Sequence, residues 1–289
     1  MRPYLLLSVV FLCLVGCAEE TEPESSNADI EKDPPAQVSL VEPQELVWHW
    51  EDEFTPEQKE KVQVWVDSVW NGITRYYGPY PLQVHIFMHA SPGSKSAIPW
   101  ARTQRKRGEQ GVHFHIDPEA SLEALLSDWT AAHELSHLAL PFVGRDNMWF
   151  SEGFATCLQN ELQVEIGAWT RDSADNYVQS KMVKIEPLYQ LDTNFVAVAN
   201  RLRYQGDYWA LYWGGATFFM EADRRLKSEG SSLQTVLRDF VACCRFTKRD
   251  LDTLIVRLDS VSGTTVFSDL YVQYTQEKAR DVDISGLIQ

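Results

Sequence analysis

Two histidines four residues apart, with a glutamate beside the first, form the densest cluster of chemically able side chains in the chain: His133-Glu134-Leu135-Ser136-His137. Residues four apart share one face of a helix, so His133 and His137 can offer two imidazole nitrogens to one metal ion. Glu134 projects beside them and can take a proton from an activated water. The flanking Trp129, Ala131, Ala132, Leu135, Leu138 and Leu140 are apolar and predict a buried helix. An unpaired carboxylate and two imidazoles would be costly there, and a metal removes that cost.

Zinc needs a third protein ligand. A third His two turns on would require Gly at 140 and His at 143, but Leu140 and Val143 stand in those places. Instead Trp149-Phe150-Ser151-Glu152-Gly153-Phe154-Ala155-Thr156 opens the next helical pattern. Residues 141–147 can make the turn, and a helix packed back against the first would return Glu152 to the metal. Three protein ligands leave one position for water, the mark of a catalytic rather than structural zinc. The expected cofactor is one Zn2+ per chain.

The paired-His helix followed by Trp-x-x-Glu-Gly resembles the gluzincin metallopeptidases, particularly their aminopeptidase-N-like and glycyl-aminopeptidase-like branches. In those families the downstream Glu, here Glu152, is the third ligand. The stretch between the motifs, residues 138–151, is shorter here than in the best-known members. A second stretch agrees: Tyr212-Trp213-Gly214-Gly215-Ala216 is similar to the families' Tyr-x-Lys-Gly segment, with Gly214 in the place of Lys. The resemblance implies that Tyr212 stabilises the oxyanion, with Tyr208 and Tyr204 as alternatives. It also implies a peptide or protein substrate and a gluzincin (thermolysin-like) catalytic architecture. The families' amine-gripping segments, Gly-x-Met-Glu-Asn or Gly-Gly-Leu-Glu-His, are absent, and Gly108-Glu109-Gln110-Gly111 reads as a solvated turn. Amino- and endopeptidase action therefore both stay open. The alternative is a binding or scaffold lipoprotein on a peptidase-like fold, inactive or weakly active.

The elements that must position these residues follow from pattern. Thr55-Pro56-Glu57-Gln58 combines an N-cap, Pro at the first helical position and a capping-box partner. Val62, Trp65, Val66, Val69, Trp70, Ile73 and Tyr77 then mark a buried helix face. Residues 82–88 read as a strand. Residues 112–117 alternate, placing Val112, Phe114 and Ile116 on one face and His113, His115 and Asp117 on the other, expected to be a wet strand face. Residues 102–107 read as a solvated basic loop. A helical pattern is expected to run unbroken from after Pro118 to about Leu140, and from Met148 onward the chain is helical in pattern. The fold class expected is α+β, a small mixed β-sheet with zinc-binding helices followed by an all-helical lobe.

The N-terminus adds an address. Arg2 precedes an apolar run from Leu5 to Val15, too short to span a hydrocarbon core of about 30 Å and suited to a secretory signal. Leu14-Val15-Gly16-Cys17 looks like a bacterial lipobox, with Cys17 the lipidated (palmitate-bearing) residue. The expected layout is a signal at 1–17, an acidic tether at 18–46 and a peptidase domain at 47–289, divided into 47–165 and 166–289. The expected location is the bacterial cell envelope, lipid-anchored, with the outer membrane favoured and a periplasmic or surface face.

Composition sharpens this. The 289 residues carry 26 Lys+Arg against 41 Asp+Glu, a net charge of −15, which argues against a nucleic-acid partner. Residues 18–46 hold nine acids against Lys32 alone, so the tether carries more than half of that charge. Of five cysteines, Cys13 leaves with the signal; Cys157, Cys243 and Cys244 remain and allow at most one bridge, with buried inert thiols expected.

Overall fold

The computed structural model describes residues 45–106, 109–247 and 250–288. Cys17, the signal at 1–17, the tether through 44, and Arg107 and Gly108 lie outside the described residues. Among the described residues no helix is long and apolar enough to cross a membrane.

The front half alternates strands and helices. Strand β1 (Val47–Trp50) leads into helix α1 (Pro56–Tyr77), then β2 (His85–Ala90), β3 (Trp100–Lys106) and β4 (Glu109–Ile116). The sheet order is β1-β2-β4-β3; β1, β2 and β4 run parallel, and β3 runs antiparallel to β4 at the edge. The capping box at the head of α1 is formed: the Thr55 side chain accepts from the Gln58 amide, and the Gln58 side chain accepts from the Thr55 amide. Val62, Trp65, Val66, Val69, Ile73 and Tyr77 are buried along α1, facing Ile86, Met88, Val112, Phe114 and Ile116 from the sheet. Each such large side chain contributes about 1.5–3 kcal/mol on leaving water. Trp65 meets Phe114 edge-on at 5.2 Å, tying the helix to the central strand.

Two of these strands correct the sequence reading. Residues 102–107 are not a solvated basic loop: 102–106 belong to β3, whose alternate residues Ala101, Thr103 and Arg105 turn toward the helices. The inward Thr103 and Arg105 bond Glu134 and the His137 carbonyl rather than apolar neighbours, which is why the pattern read as polar. β1 is short, and the strand expected at 82–88 starts and ends two or three residues later.

The expected continuous helix after Pro118 is also broken. α2 (Leu122–Ser127) stops at Asp128, whose backbone is extended and whose carboxylate accepts from the Thr130 amide at 2.8 Å. A side chain that bonds its own neighbouring backbone starts a new helix rather than continuing the old one. That new helix, α3 (Thr130–Ser136), tightens into a 3-10 turn at His137–Ala139.

The back half is helical: α4 (Met148–Glu165), α5 (Arg171–Tyr189), α6 (Phe195–Tyr204), α7 (Tyr208–Ser228), α8 (Leu233–Cys244), α9 (Leu251–Ser262) and α10 (Val266–Gln276). Its core is aromatic, with Trp149, Phe150, Phe218, Phe219 and Tyr274 fully buried. Phe150 and Phe219 lie 4.8 Å apart, and Trp149 stacks on Tyr274 at 6.0 Å. The expectation of inert buried thiols fails at the end of α8: Cys243 and Cys244 form a disulfide between adjacent residues. Cys243 is exposed and Cys244 half-buried, so neither thiol was held in the core. Among the described residues Cys157 is the free cysteine, with burial pushing its thiol well up.

Candidate metal centre and active site

α3 is short, yet it holds the i, i+4 pair in register. His137 stands just past its end with helical backbone angles, and its amide still bonds the His133 carbonyl. The two imidazole rings lie 4.8 Å apart, edge to face. Two guanidinium groups hold the turn that follows: Arg105 donates to the His137 carbonyl, and Arg245 to the Leu138 carbonyl. Carbonyls at a helix C-terminus carry partial negative charge and lack intrahelical partners, so both contacts answer a need of the backbone.

α4 brings the third donor. Glu152 Oε2 lies 3.1 Å from His133 Nε2 and 3.4 Å from His137 Nε2. What allows the close approach of elements here is a crossing of α4 and α7 at two glycines. A Cβ on Gly153 would fall 2.2 Å from the Gly215 carbonyl carbon, and one on Gly215 would fall 1.9 Å from the Trp149 carbonyl oxygen. Gly214 has its own reason: a Cβ there would meet the Tyr189 hydroxyl at 2.0 Å, so the Lys of the resembled motif has no room.

Because α7 crosses so closely, Tyr212, one turn before the crossing, reaches the cluster. Its ring stacks beside His133 at 5.8 Å, and the charges of Glu152 and Glu134 act on its phenol. Tyr208 is 49% exposed and Tyr204 is 82% exposed. The structure thus brings Tyr212, and not Tyr204, to the site.

The electrostatics are those of a buried donor set. His133 and His137 are buried, and the Glu152 side chain is mostly so. Burial pushes the Glu152 carboxyl up, but His137 and His133 outweigh it and hold the group well below the usual carboxylate range. Burial lowers His133, yet the hydrogen bond and charge of Glu152 raise it on balance. Tyr212 is pushed up by burial and by Glu152 and Glu134, so its phenol stays protonated at neutral pH and can donate.

Two partners of the site were not read from sequence. Gln159 Oε1 lies 2.8 Å from His133 Nδ1, so that nitrogen donates to the glutamine and Nε2 is the nitrogen turned toward Glu152. Gln159 stands seven residues after Glu152, two helical turns on, and that spacing was the signal available. Thr103 on β3 places its hydroxyl 2.8 Å from both the Glu134 carbonyl and Glu134 Oε2, tethering the carboxylate to the sheet edge. Glu109 is exposed at the start of β4. A narrow crevice beside His137 is lined by Arg105, Leu140, Pro141, Phe150, Ser151 and Phe154. A larger cavity, bordered by Glu221, Arg225, Gln273 and Tyr274, shares no residue with it.

The donor chemistry suits zinc. The ligand atoms of His133, His137 and Glu152 all lie within 4.8 Å of one another, and they form the only such three-donor group among the described residues. Two imidazole nitrogens and one carboxylate oxygen are a zinc set, and the two N···O separations approach the spacing of about 3.3 Å that ligands at about 2.0–2.1 Å adopt around a tetrahedral ion. Tyr212 and Glu134 stand beside the three ligands without belonging to them.

No protein-family model matches the chain, and no curated protein matches it. Among solved structures, an M1 zinc metallopeptidase mutant from Deinococcus radiodurans, bound to a Tyr-Ser-Ala substrate, is similar at 18% identity and a TM-score of 0.47, covering 78% of this chain and 46% of that one. A two-domain M1 zinc metallopeptidase mutant bound to L-arginine is similar at 15% identity and a TM-score of 0.44, covering 79% and 47%. The chain spans about half the length of these structures. At such values the likeness is distant, and the site's capability is read from its own atoms.

Proposed function

We propose that this chain is a zinc-dependent peptidase in which Glu134 is the general base. The observation that carries the reading is the convergence of His133, His137 and Glu152 with Glu134 and Tyr212 at their border. A zinc ion held by the three ligands would supply Lewis acidity, bringing the pKa of a water toward about 7. In this reading Glu134 accepts the proton of the water that attacks a peptide carbonyl and returns it to the departing amine. Thr103 keeps the Glu134 carboxylate in one orientation during both transfers. Tyr212 donates its phenolic hydrogen to the oxyanion of the tetrahedral intermediate. Gln159 keeps His133 in the tautomer that presents Nε2.

Glu134→Gln removes the base and keeps the shape. The expected result is a loss of about 10²–10⁴-fold in peptide hydrolysis with zinc content unchanged. Hydrolysis at the wild-type rate would overturn the assignment. A peptide-library cleavage profile then separates amino- from endopeptidase action. Zinc bound at one per chain with no peptide cleaved would instead make the chain a binder.

We also propose that Cys17 carries the lipid that holds the protein in the bacterial cell envelope, supported by Arg2, the apolar run and Leu14-Val15-Gly16-Cys17. Cells fed an alkyne-tagged palmitate should label the wild-type protein and not Cys17→Ala. Equal labelling of both would remove the anchor from Cys17.

A further inference from the structure

Five of the seven histidines are remote from the cleft ligands in sequence and gather on one face of the sheet. They are His49 on β1, His85 and His89 on β2, and His113 and His115 on β4. Pairing register sets them in rows across the strands: His49 beside Phe87 beside His113, and His89 beside His115. The opposite face carries the core residues Ile86, Met88, Val112 and Phe114. All five imidazoles are half-buried, neither sunk in a core nor free in water.

Their nitrogens meet in pairs. His49 Nε2 lies 2.9 Å from His85 Nδ1, and His89 Nε2 lies 3.0 Å from His113 Nδ1. Phe87 is stacked between the pairs, 4.4 Å from the His49 ring and 4.3 Å from the His113 ring. His115 stacks on His89 at 4.3 Å.

The second pair is oriented from behind. Gln104 is buried, and its amide nitrogen donates to the Glu109 carbonyl, which turns its Oε1 toward His113 Nε2 at 3.1 Å. His113 Nε2 therefore carries the proton, and Nδ1 presents its lone pair to His89. Ligating histidines are commonly fixed through the second ring nitrogen in this way, as Gln159 fixes His133 in the cleft. Three of the rings also favour the neutral form that can ligate. Burial, Arg102 and the neighbouring imidazoles push His113 down to about 4, and burial and histidine neighbours lower His85 and His115.

We propose that this sheet face is a second transition-metal site, for Cu2+ or Zn2+, with His89 Nε2 and His113 Nδ1 as its primary pair and His49 Nε2 and His85 Nδ1 as another. The ion takes the place of the hydrogen shared within each pair, and the donating ring moves its proton to its other nitrogen, so no net proton is released. Each ring turns by roughly 35° to bring both lone pairs onto one ion, and the turn opens each pair to the roughly 3.3 Å spacing that ligands at about 2.0–2.1 Å require. Imidazole donors select copper, zinc and nickel over the oxygen-seeking calcium and magnesium, with Cu2+ bound most tightly. No third protein donor joins either pair among the described residues, so water completes the shell and the ion exchanges readily. Arg102 and Lys106 flank His113 and oppose a cation, while Asp52 and Glu109 lie near His115 and His85 and favour one.

The test titrates the full chain, its cleft first loaded with zinc, with Cu2+ alone. Copper and zinc are counted by elemental mass spectrometry after gel filtration, and the copper ligands are read by electron paramagnetic resonance. The expected result is copper bound in addition to retained zinc, with nitrogen hyperfine structure. One equivalent should be lost in His89→Asn/His113→Asn and a further one when His49→Asn/His85→Asn is added. Gln104→Leu, which keeps all five imidazoles, should weaken the primary site by about 10–100-fold. Copper binding undiminished in the four-histidine variant, or no copper beyond what displaces the cleft zinc, overturns the proposal. Either result leaves the reading of the cleft untouched, because none of these residues belongs to it.

Discussion

The molecule holds its imidazoles in two settings, and what lies beside them sets the settings apart. In the cleft, His133 and His137 share a helix face, are buried, and have Glu152 at 3.1 and 3.4 Å. On the sheet, the pairs come from neighbouring strands, stay half-exposed, and find no carboxylate oxygen that completes a three-donor group among the described residues. Both settings use a buried glutamine to fix one ring, Gln159 for His133 and Gln104 for His113. The pKa shifts point in opposite directions, His133 up and His113 down to about 4. The difference teaches that paired imidazoles alone give a place for an exchangeable ion. On the function proposed above, a buried carboxylate with a second acid beside it is what turns such a place to hydrolysis.

The largest effect should come from exchanging one histidine in each setting. His133→Ala removes a cleft ligand and should lower peptide hydrolysis by about a thousandfold or more, since several kcal/mol of charge stabilisation go with the metal and each 1.36 kcal/mol is tenfold. His89→Ala should leave kcat/KM within about twofold of wild type, because a half-exposed sheet residue away from the reacting groups contributes nothing to the barrier. Assaying both variants on one peptide, with zinc measured alongside, checks this. Equal losses in the two would mean that the settings are coupled and the contrast false.

The cleft was legible because helical spacing is local: His133, Glu134 and His137 are read from five consecutive residues, and Glu152 from the next amphipathic run. Tyr212 was legible only by its likeness to a known motif, and the Gly153–Gly215 crossing that delivers it depends on two helices far apart in sequence. β3 escaped because only Ala101 of its inward residues packs on the core, while Thr103 and Arg105 bond Glu134 and the His137 carbonyl, so its alternation lacks the apolar signal of a strand. The sheet histidines were half legible. Alternation placed His113 and His115 on the outer face, but the nitrogen contacts of His113 with His89 and of His49 with His85 follow from parallel register, which one strand's sequence cannot express. The Cys243–Cys244 bridge joins neighbours, where ordinary spacing rules for disulfides do not look.

A smaller effect sharpens the role of the two glutamines. Gln159→Leu keeps all three cleft ligands and removes only the acceptor at His133 Nδ1. The ring is then free to present the wrong tautomer, and zinc affinity should fall by about 10–100-fold, measured by competition with a chromophoric chelator. Hydrolysis under saturating zinc should recover most of its rate, separating a positioning role from a catalytic one. If the affinity does not change, the Gln159 hydrogen bond is incidental, and its likeness to Gln104 carries no weight.

The smallest effect concerns stability and pH on the sheet face. In the unfolded chain His113 takes up a proton near its ordinary pKa of about 6.5, whereas in the fold it resists until about 4, held down by burial, Arg102, His89, His115 and Lys106. Between those values the unfolded state binds more protons than the native state, so this group makes stability fall as pH falls through that window. Above about 6.5 neither state is protonated and the contribution is zero. His113→Gln keeps a polar group on the strand and removes the titration. Its melting temperature should therefore decline less steeply than wild type from pH 6.5 to 4, by no more than about 2 °C, because solvent screens a half-exposed imidazole. Carboxylates that titrate in the same range act equally in both proteins and cancel in the difference. Parallel acid limbs would mean that His113 is no more reluctant to protonate than a histidine in water, and the opposition between the two settings would then rest on geometry alone.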